Sequence, residues 1–374
     1  MSTSAHILFF GDLHLNSARE DSLFDPDLSV IAGEHDLVVG NFEGAGWHPD
    51  AHTDKKAGPA LIMGEHAAAR IRNTGFGLLT LANNHCMDFG PTGITAARES
   101  LSGISLIGAG LTRAEAERPG IVTLKGIKIG FLAGSETQYG TLSGIRTGPG
   151  CASLCRPDLL DSIRMMRSEC AHVVLLAHAG LENVPLPLPE WRAFYHACID
   201  AGASAVVASH PHVPQGTECY HGGVILYSLG NTAWDPVQNS ATDRSLAASL
   251  TLSQTGLPVL RTYMLRYDGD FLHLCSELEN RELLAGLNAP LSDPCQYKAE
   301  IQAICRDFYR TAAIRDFHAI TGSYPGGAWQ KLKNGLKQVL RRPSLNDPLL
   351  TSMLENETYR WTVLAAIREQ EKAE

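Results

Sequence analysis

The sequence lacks the features that mark secreted and membrane-anchored proteins. No basic region precedes the first apolar run in MSTSAHILFFGD, and this run ends at Gly11 and Asp12. It therefore predicts a first strand, not a signal peptide or a membrane anchor. The nine cysteines are an odd number and form no CxxC pair, which argues against a disulfide framework and a thiolate zinc site. These features favour a cytoplasmic protein with reduced thiols.

Positive charge is also scarce. The formal net charge is −9 at pH 7, so a general nucleic-acid-binding protein is not expected, because contact with phosphates needs a basic face. The 374 residues are 44% hydrophobic and 19% charged. This composition is typical of a globular protein that is long enough for one large domain with an appendage, or for two domains.

What the sequence does contain is a series of short apolar strands that end in metal-compatible side chains. Histidines and carboxylates cost free energy when they are buried, unless they are paired or bound to an ion. Their repetition at successive strand ends therefore predicts a metal site at one edge of an α/β sheet. The side chains at these ends are Asp12 and His14, Asn41 and Glu43, Asn84 and His85, His178, and His210 and His212.

The stretch Leu78–Gly90, LLTLANNHCMDFG, is the most informative of these ends. Its apolar start predicts a buried strand, and its Gly-Pro junction precedes a helix-like segment. His85 offers an imidazole nitrogen or a proton, and Asp88 is close enough in the chain to orient that imidazole. The alternative is a polar loop whose asparagines cap the next helix.

The candidate ligands combine imidazole nitrogens with carboxylate and amide oxygens, and they include no thiolate. The set is large enough for two divalent ions. Mn, Zn or Fe suits such a mixture, whereas Ca or Mg is less natural beside so many imidazoles.

Several motifs between Ile7 and Asn231 also follow one another in a specific order. They are LVVGNFEG (37–44), LANNHCMDFG (81–90), HAGLE (178–182), ASHPHVPQG (208–216) and ILYSLGN (225–231). Together they resemble the metallophosphoesterase (calcineurin-like) superfamily, and more closely its CapA-like branch of poly-γ-glutamate capsule synthesis. The resemblance implies an α/β fold in which a sandwich of two β-sheets is flanked by helices, with a dinuclear metal centre at the strand ends.

The resemblance also implies a role for each motif residue. The implied metal ligands are Asp12 and His14 at the first ion, Glu43 between the ions, Asn84 and His178 at the second ion, and His210 and His212 divided between the two. The implied catalytic residues are Asp12, His85, which would protonate a leaving group or steady an oxyanion, and Asp88, which would orient His85.

Some positions depart from the pattern of the CapA-like branch. Those proteins often have methionine at the position of His14, and Ser209 stands where they commonly have histidine. Glu43 replaces the aspartate that is usual in the wider superfamily, a feature that the capsule branch shares. The capsule proteins are typically membrane-anchored outside the cell, so the absence of a predicted anchor favours a different, cytoplasmic setting.

Two segments outside these motifs carry expectations of their own. The Gly-, Ser- and Thr-rich stretch 135–150 is interpreted as an active-site loop or lid. We expect residues 1–280 to form the catalytic domain and residues 281–374 a helical C-terminal extension, with helices over 296–320, 327–340 and 347–370. The basic run Lys331–Arg342 could bind an acidic peptide or polymer, or it could be a solvated helix face.

Three functions remain open at this point. The first is a metal-dependent hydrolase that acts on a peptide, a γ-glutamyl or a phosphoester substrate. The second is a peptide epimerase, in which the ions stabilise an enolate while a side chain removes the α-proton. The third is a non-catalytic partner in capsule or polyglutamate synthesis. Membership of a fold does not decide among them.

Overall fold

The computed structural model describes residues 4–53, 56–236, 244–321 and 347–371. The chain divides into two compact units, of which the first contains Met1–Asp54 and Ala60–Ser292 and the second contains Lys55–Pro59 and Asp293–Glu374. A helix that was not predicted spans Glu277–Ser292 and belongs to the first unit. It therefore contains residue 280, where the predicted catalytic domain ends. The predicted domain boundary stays a prediction, and the basic run Lys331–Arg342 lies outside the described residues.

The described strands and helices are numbered here in chain order. The strands are β1 (Ser4–His14), β2 (Leu37–Phe42), β3 (Leu78–Thr80), β4 (Ser105–Ile107), β5 (Ala109–Gly110), β6 (Gly120–Leu124), β7 (Ile127–Ser135), β8 (Gly150–Cys151), β9 (His172–His178), β10 (Ala205–Ser209), β11 (Thr217–Tyr220), β12 (Gly223–Leu226), β13 (Asn231–Trp234), β14 (Arg244–Ser253), β15 (Val259–Tyr267) and β16 (Leu272–Leu274). The helices are α1 (Pro26–Gly33), α2 (Ala67–Thr74), α3 (Gly90–Ser100), α4 (Arg113–Ala116), α5 (Leu159–Glu169), α6 (Pro189–Asp200), α7 (Glu277–Ser292), α8 (Pro294–Phe308), α9 (Ile314–Thr321), α10 (Asp347–Glu355) and α11 (Glu357–Glu371).

Two sheets make up most of the first unit. The first has eight strands in the order β16-β15-β14-β1-β2-β3-β4, and β13 also pairs with β1. The second has six strands in the order β11-β12-β10-β9-β7-β6. Strands β1 to β4 are parallel to one another, as are β7, β9, β10 and β12. Parallel strands bring their carboxyl ends to one edge of a sheet, where a site can form.

The alternation of side chains along β1 shows how the layers are packed. Ile7 and Phe9 belong to a buried core that also contains Phe131 of β7 and Val174 of β9, so this core lies between the sheets. Leu8 and Phe10 point to the opposite face of the same sheet, as the period of two in a strand requires. Both faces of β1 are buried, which explains why its sequence is a continuous apolar run.

Helices cover the outer faces of the two sheets. The core on the outer face of the first sheet includes Leu28 of α1, Ile71 of α2 and Ile94 of α3. On the second sheet, α5 packs against β7 and β9, and α6 packs against β10 and β12. The predicted fold class, a two-sheet sandwich flanked by helices with a helical C-terminal region, is confirmed.

The second compact unit is helical. Helix α8 continues through a π-helical turn at Tyr309–Ala313 into α9, which together cover the helix predicted over 296–320. Helices α8 and α11 pack against each other through an ion pair between Arg306 and Glu369 of 2.8 Å and an edge-to-face contact between Phe308 and Tyr359. The helix predicted over 327–340 lies outside the described residues.

A close backbone approach at Gly11 sets the position of β1 beside β13. A Cβ atom at residue 11 would lie 2.1 Å from the carbonyl oxygen of Gly230, which also accepts a hydrogen bond of 3.1 Å from the backbone N–H of Asp12. Only glycine therefore lets the two strands pair at this point.

We expect Gly11→Ala to lower the free energy of unfolding by about 1–3 kcal/mol, the usual cost of overpacking a core. Chemical denaturation followed by circular dichroism measures this change. The matched control is Gly33→Ala at the end of α1, where no heavy atom lies within 4 Å of the added Cβ. Equal stability of the two variants would contradict the steric role of Gly11.

Candidate metal centre

The predicted site residues meet where the carboxyl ends of the two sheets face each other. Asp12 lies near the end of β1, and Glu43 follows β2. From the second sheet, His178 is the last residue of β9 and His210 follows β10. All four side chains are buried. The strand-end pattern of the sequence thus corresponds to one shared location in the first unit.

Two overlapping groups of side chains have the spacing that a metal ion requires. Asp12, Glu43 and His178 form one group, and Glu43, His210 and His212 form the other, with the ligand atoms of each group within 4.8 Å of one another. His178 Nε2 lies 3.7 Å from Glu43 Oε1, and His178 Nδ1 lies 3.8 Å from Asp12 Oδ1. Glu43 is common to both groups, which is the geometry that a bridging carboxylate would need.

Without a cation nearby, the burial of the Glu43 carboxylate lowers the stability of the folded protein. Its side chain is fully buried, and neither carboxylate oxygen accepts a hydrogen bond from any residue that the structure describes. Burial first, and then the neighbouring charge of Asp12, raises the pKa of Glu43 well above its usual value. A divalent ion would offset both effects, so these residues fit a metal centre.

Two histidines of the site, His178 and His210, favour the neutral form that metal binding needs. Burial, followed by the charge of His210, lowers the pKa of His178 well below its usual value. Burial likewise lowers the pKa of His210 to about 4. His212 is the less buried member of the HxH pair, and its Nδ1 lies 2.8 Å from Asn231 Oδ1. Burial therefore favours the neutral imidazoles of His178 and His210 beside the buried carboxylates.

His85 and Asp88 form a pair beside these groups. His85 Nδ1 lies 2.6 Å from Asp88 Oδ2, which also accepts a hydrogen bond of 2.7 Å from the backbone N–H of Leu61. His85 Nε2 lies 4.0 Å from Glu43 Oε1. The carboxylate of Asp88 can thus hold the ring so that Nε2 faces the candidate ion site.

Asn84 and His14 occupy different surroundings, although the resemblance implies that both are ligands. Asn84 Oδ1 lies 2.9 Å from His178 Nε2, directly beside the first group. His14 belongs to neither group: its Nδ1 lies 3.2 Å from the carbonyl oxygen of Glu43, and its Nε2 lies 2.8 Å from Asn16 Nδ2. The ligand roles of all these residues stay predictions.

The structure also identifies Asn41 as a residue that links the two sheets. Asn41 Nδ2 donates a hydrogen bond of 2.7 Å to Asp12 Oδ1 and lies 3.1 Å from His178 Nδ1. Asn83 Nδ2 in turn donates to Asn41 Oδ1 at 3.2 Å. The sequence analysis noted Asn41 at the end of β2 but did not include it among the site residues. Its position two residues before Glu43 was the available signal.

The Gly-, Ser- and Thr-rich stretch 135–150 places two side chains next to His210, and its role as an active-site loop or lid stays a prediction. Glu136 Oε1 lies 3.5 Å from His210 Nε2, and Gln138 Nε2 lies 3.0 Å from the same nitrogen. Neither residue was predicted as part of the site, because one glutamate in a flexible-looking stretch carries no distinctive pattern.

Comparison with known protein families identifies a family for this chain. Residues 6–236, more than half of the chain, match the family described as bacterial capsule synthesis protein PGA_cap. The chain belongs to this family. The predicted resemblance to CapA-like proteins is confirmed, and the matched range contains every predicted site residue of the PGA_cap chain.

The matches with individual relatives cover only part of each relative. The chain is 30% identical over 225 residues to the capsule biosynthesis protein CapA of Bacillus anthracis, covering 56% of this chain and 53% of that protein. It is 27% identical over 229 residues to the PGA biosynthesis protein CapA of Bacillus subtilis (strain 168), covering 60% of each. The PGA_cap chain thus spans little more than half the length of these curated relatives.

Among solved structures, the chain is similar to a novel phosphatase from Mycoplasma pneumoniae. The sequence identity is 14%, the TM-score is 0.44, and the match covers 71% of this chain and 94% of the phosphatase. At this level the likeness does not bear on the activity of the PGA_cap chain.

Within the described residues, no helix combines the length and the apolar character needed to cross a membrane. The cytoplasmic location stays a prediction.

We expect Glu43→Gln to reduce the bound Mn²⁺ and, in metal-free protein, to raise the free energy of unfolding by about 1–3 kcal/mol, because a neutral amide replaces a buried carboxylate whose charge has no partner. Elemental analysis and thermal unfolding with and without chelator measure the two effects. Glu218→Gln is the matched control, because Glu218 accepts hydrogen bonds from Arg192 and Tyr227. That control should be destabilised with unchanged Mn²⁺ content. Unchanged Mn²⁺ in Glu43→Gln together with lower stability would contradict this assignment.

Proposed function

We propose that this PGA_cap protein is a metal-dependent hydrolase that binds two divalent ions and cleaves a peptide, a γ-glutamyl or a phosphoester bond. The observation that carries the proposal is Glu43, whose buried carboxylate accepts no hydrogen bond from described residues and belongs to both candidate ligand groups. Such a carboxylate is hard to explain as a structural residue, because its burial without a partner lowers stability.

In this proposal the side chains of both sheets hold the ions. Asp12, His178 and Asn84 would lie around one ion, His210 and His212 around the other, and Glu43 between them. The resemblance to the superfamily implies a different division, with Asp12 and His178 at different ions and the HxH pair split between them. His14 is the weakest candidate, because the hydrogen bond between Asn16 Nδ2 and His14 Nε2 would have to break before this imidazole nitrogen could bind an ion. Manganese, zinc or iron suits this mixture of nitrogen and oxygen ligands.

When bound, two such ions lower the pKa of a coordinated water and offset negative charge that develops on the substrate. The chain itself would supply the proton transfer. Asp88 would accept the Nδ1–H of His85, fix the ring and stabilise its imidazolium form, whose Nε2–H would be donated to the leaving group or to an oxyanion. His85 belongs to neither candidate ligand group, and its Nε2 lies 4.0 Å from Glu43 Oε1. This position beside the candidate ligands supports the role of proton donor.

The substrate class follows from the names of the relatives. They are described as proteins of capsule and PGA biosynthesis, and the sequence analysis associates this branch with poly-γ-glutamate. We therefore propose an acidic peptide or polyglutamate-like substrate ahead of a simple phosphoester. A peptide epimerase and a non-catalytic partner are the alternative outcomes of the activity experiment.

We expect His85→Ala to keep its full ion content and fold but to lose about 10²–10⁴-fold in turnover, the usual contribution of a general acid or base. Turnover and elemental analysis are measured on the same preparation. The control is His273→Ala, since His273 also contacts carboxylates, Asp25 and Asp268, but lies outside the site. Turnover of His85→Ala equal to that of the control would remove His85 from the mechanism, and loss of ions would make it a ligand.

The reaction itself is tested with Mn²⁺-loaded protein, poly-γ-glutamate, a γ-glutamyl dipeptide and p-nitrophenyl phosphate in deuterated water. We expect release of new amino groups from the γ-glutamyl substrates, and no release by Glu43→Gln. Deuterium at an α-carbon without cleavage would instead indicate an epimerase. Full ion content with neither reaction on any of these substrates would contradict the hydrolase and favour a non-catalytic partner.

A further inference from the structure

We propose that His14 is a positioning residue that fixes the backbone of Glu43, and that it is not a ligand of either ion. The inference rests on the proposed function, in which Glu43 lies between the two ions. The contacts that carry it, however, join only residues of this chain.

The carboxylate of Glu43 takes its position from its backbone. Its side chain is fully buried, yet neither carboxylate oxygen accepts a hydrogen bond from any residue that the structure describes. The backbone, in contrast, is held from the end of β1. The N–H of Glu43 donates to the carbonyl oxygen of Leu13 at 2.9 Å, and the carbonyl oxygen of Glu43 lies 3.2 Å from His14 Nδ1. Two consecutive residues of β1 thus bind both backbone polar groups of Glu43.

The contact with Glu43 determines which nitrogen of His14 carries the proton. A carbonyl oxygen only accepts, so Nδ1 is protonated and donates. His14 is buried, which favours the neutral ring, and in a neutral ring with a proton on Nδ1 the other nitrogen only accepts. Asn16 Nδ2 lies 2.8 Å from His14 Nε2 and is therefore the donor to it. Both nitrogens of His14 are accordingly engaged by residues of the chain.

Asp235 holds the segment that carries Asn16. Its Oδ2 accepts hydrogen bonds from the backbone N–H groups of Asn16 at 2.9 Å and Ser17 at 3.0 Å. The hydroxyl group of Tyr267 donates to its Oδ1 at 2.8 Å, and its own backbone N–H donates to the carbonyl oxygen of His14 at 2.8 Å. The backbone of Asn16 is therefore fixed beside the imidazole to which its side chain donates.

The position of His14 relative to the candidate ligands agrees with a supporting role. Its ring packs against Trp234, with 5.1 Å between the ring centroids, and it belongs to neither group of candidate ligand atoms. Glu43 belongs to both groups. A displaced Glu43 backbone would therefore weaken the binding of both ions, whereas the loss of one terminal ligand would weaken mainly the ion that it binds.

The experiment compares His14→Asn and His14→Leu with the matched control His172→Leu. The amide of asparagine can place an N–H close to the position of imidazole Nδ1 but has no atom at the position of Nε2. His14→Asn thus keeps the donor and removes the nitrogen that could bind an ion, and His14→Leu removes both. His172 is a buried histidine at the start of β9, where its ring contacts Ser204 Oγ at 2.9 Å and the carbonyl oxygen of Ser253 at 2.7 Å.

Three measurements are made on each protein, and circular dichroism verifies that it is folded. Titration calorimetry with Mn²⁺ reports the number and affinity of the ions. The ¹³C chemical shift of the Glu43 carbonyl group reports the hydrogen bond to His14 in metal-free protein. Long-range ¹H–¹⁵N spectra of histidine-labelled protein, without metal and with diamagnetic Zn²⁺, report whether His14 Nε2 binds an ion. The His14 signals are assigned by their loss in His14→Asn.

We expect two ions with unchanged Mn²⁺ affinity in His14→Asn and in His172→Leu. In His14→Leu both ions should bind about 10–100-fold more weakly, the usual effect of removing a residue that supports a metal ligand, and the Glu43 carbonyl signal should move. In the unmodified protein, the His14 Nε2 signal should remain that of an uncoordinated acceptor when Zn²⁺ is added.

A ligand role for His14 would give a different pattern. A Zn²⁺-dependent change of its Nε2 signal, or a loss of Mn²⁺ affinity in His14→Asn as large as in His14→Leu, would overturn the inference. These two observations decide the question even if His14→Leu does not fold.

The metal-free readout separates this inference from the proposed function. If the unmodified protein bound neither Mn²⁺ nor Zn²⁺, but the Glu43 carbonyl signal moved in His14→Leu and not in His14→Asn, the metal-dependent hydrolase would fail and the positioning role would stand. If the unmodified protein bound two ions, and His14→Leu changed neither their affinity nor the carbonyl signal, the metal site would stand and the role of His14 would be wrong.

Discussion

The burial of ionisable groups around Glu43 is the constraint on which the rest of the first unit depends. Removing a carboxylate from water costs several kcal/mol unless an opposite charge or hydrogen bonds replace the solvent. Asp12 has such replacements, since Asn41 and the backbone N–H of His210 donate to its two oxygens. Glu43 has none among the described residues. The two sheets thus bring together charges that are most stable with cations between them.

The sequence predicted the parts of this arrangement that local pattern determines. A buried strand is recognisable from its apolar run, and the first polar residues after it must lie at the sheet edge, so Asp12, Glu43, His178 and His210 could be selected without a structure. Asn41 was also found at a strand end but was not assigned a role, and Glu136 was not selected at all. Their importance arises from contacts with His178 and His210, which are far away in the sequence and lie on other strands.

Two other differences have similar physical reasons. Helix α7 was not predicted because Gly286 and Pro290 interrupt its sequence, ELENRELLAGLNAPLS. Tertiary packing against β11 and β15 stabilises it. His14 fits the ligand pattern by spacing, yet both of its ring nitrogens lie within hydrogen-bonding distance of neighbouring groups. Spacing identifies which side chains can reach a site, but it does not reveal how their nitrogens are already used.

The order of strands in the first sheet has a consequence for how the protein is made. Strand β1 is synthesised first, yet one of its neighbours in the sheet is β14, which ends at Ser253. The HxH pair that completes the second ligand group also comes late in the sequence, at residues 210 and 212. A growing chain therefore exposes Asp12 and Glu43 long before their partners exist. Contacts of such long sequence separation form slowly. Completion of the second candidate ligand group is then a late event of folding, because it needs strand ends from both sheets.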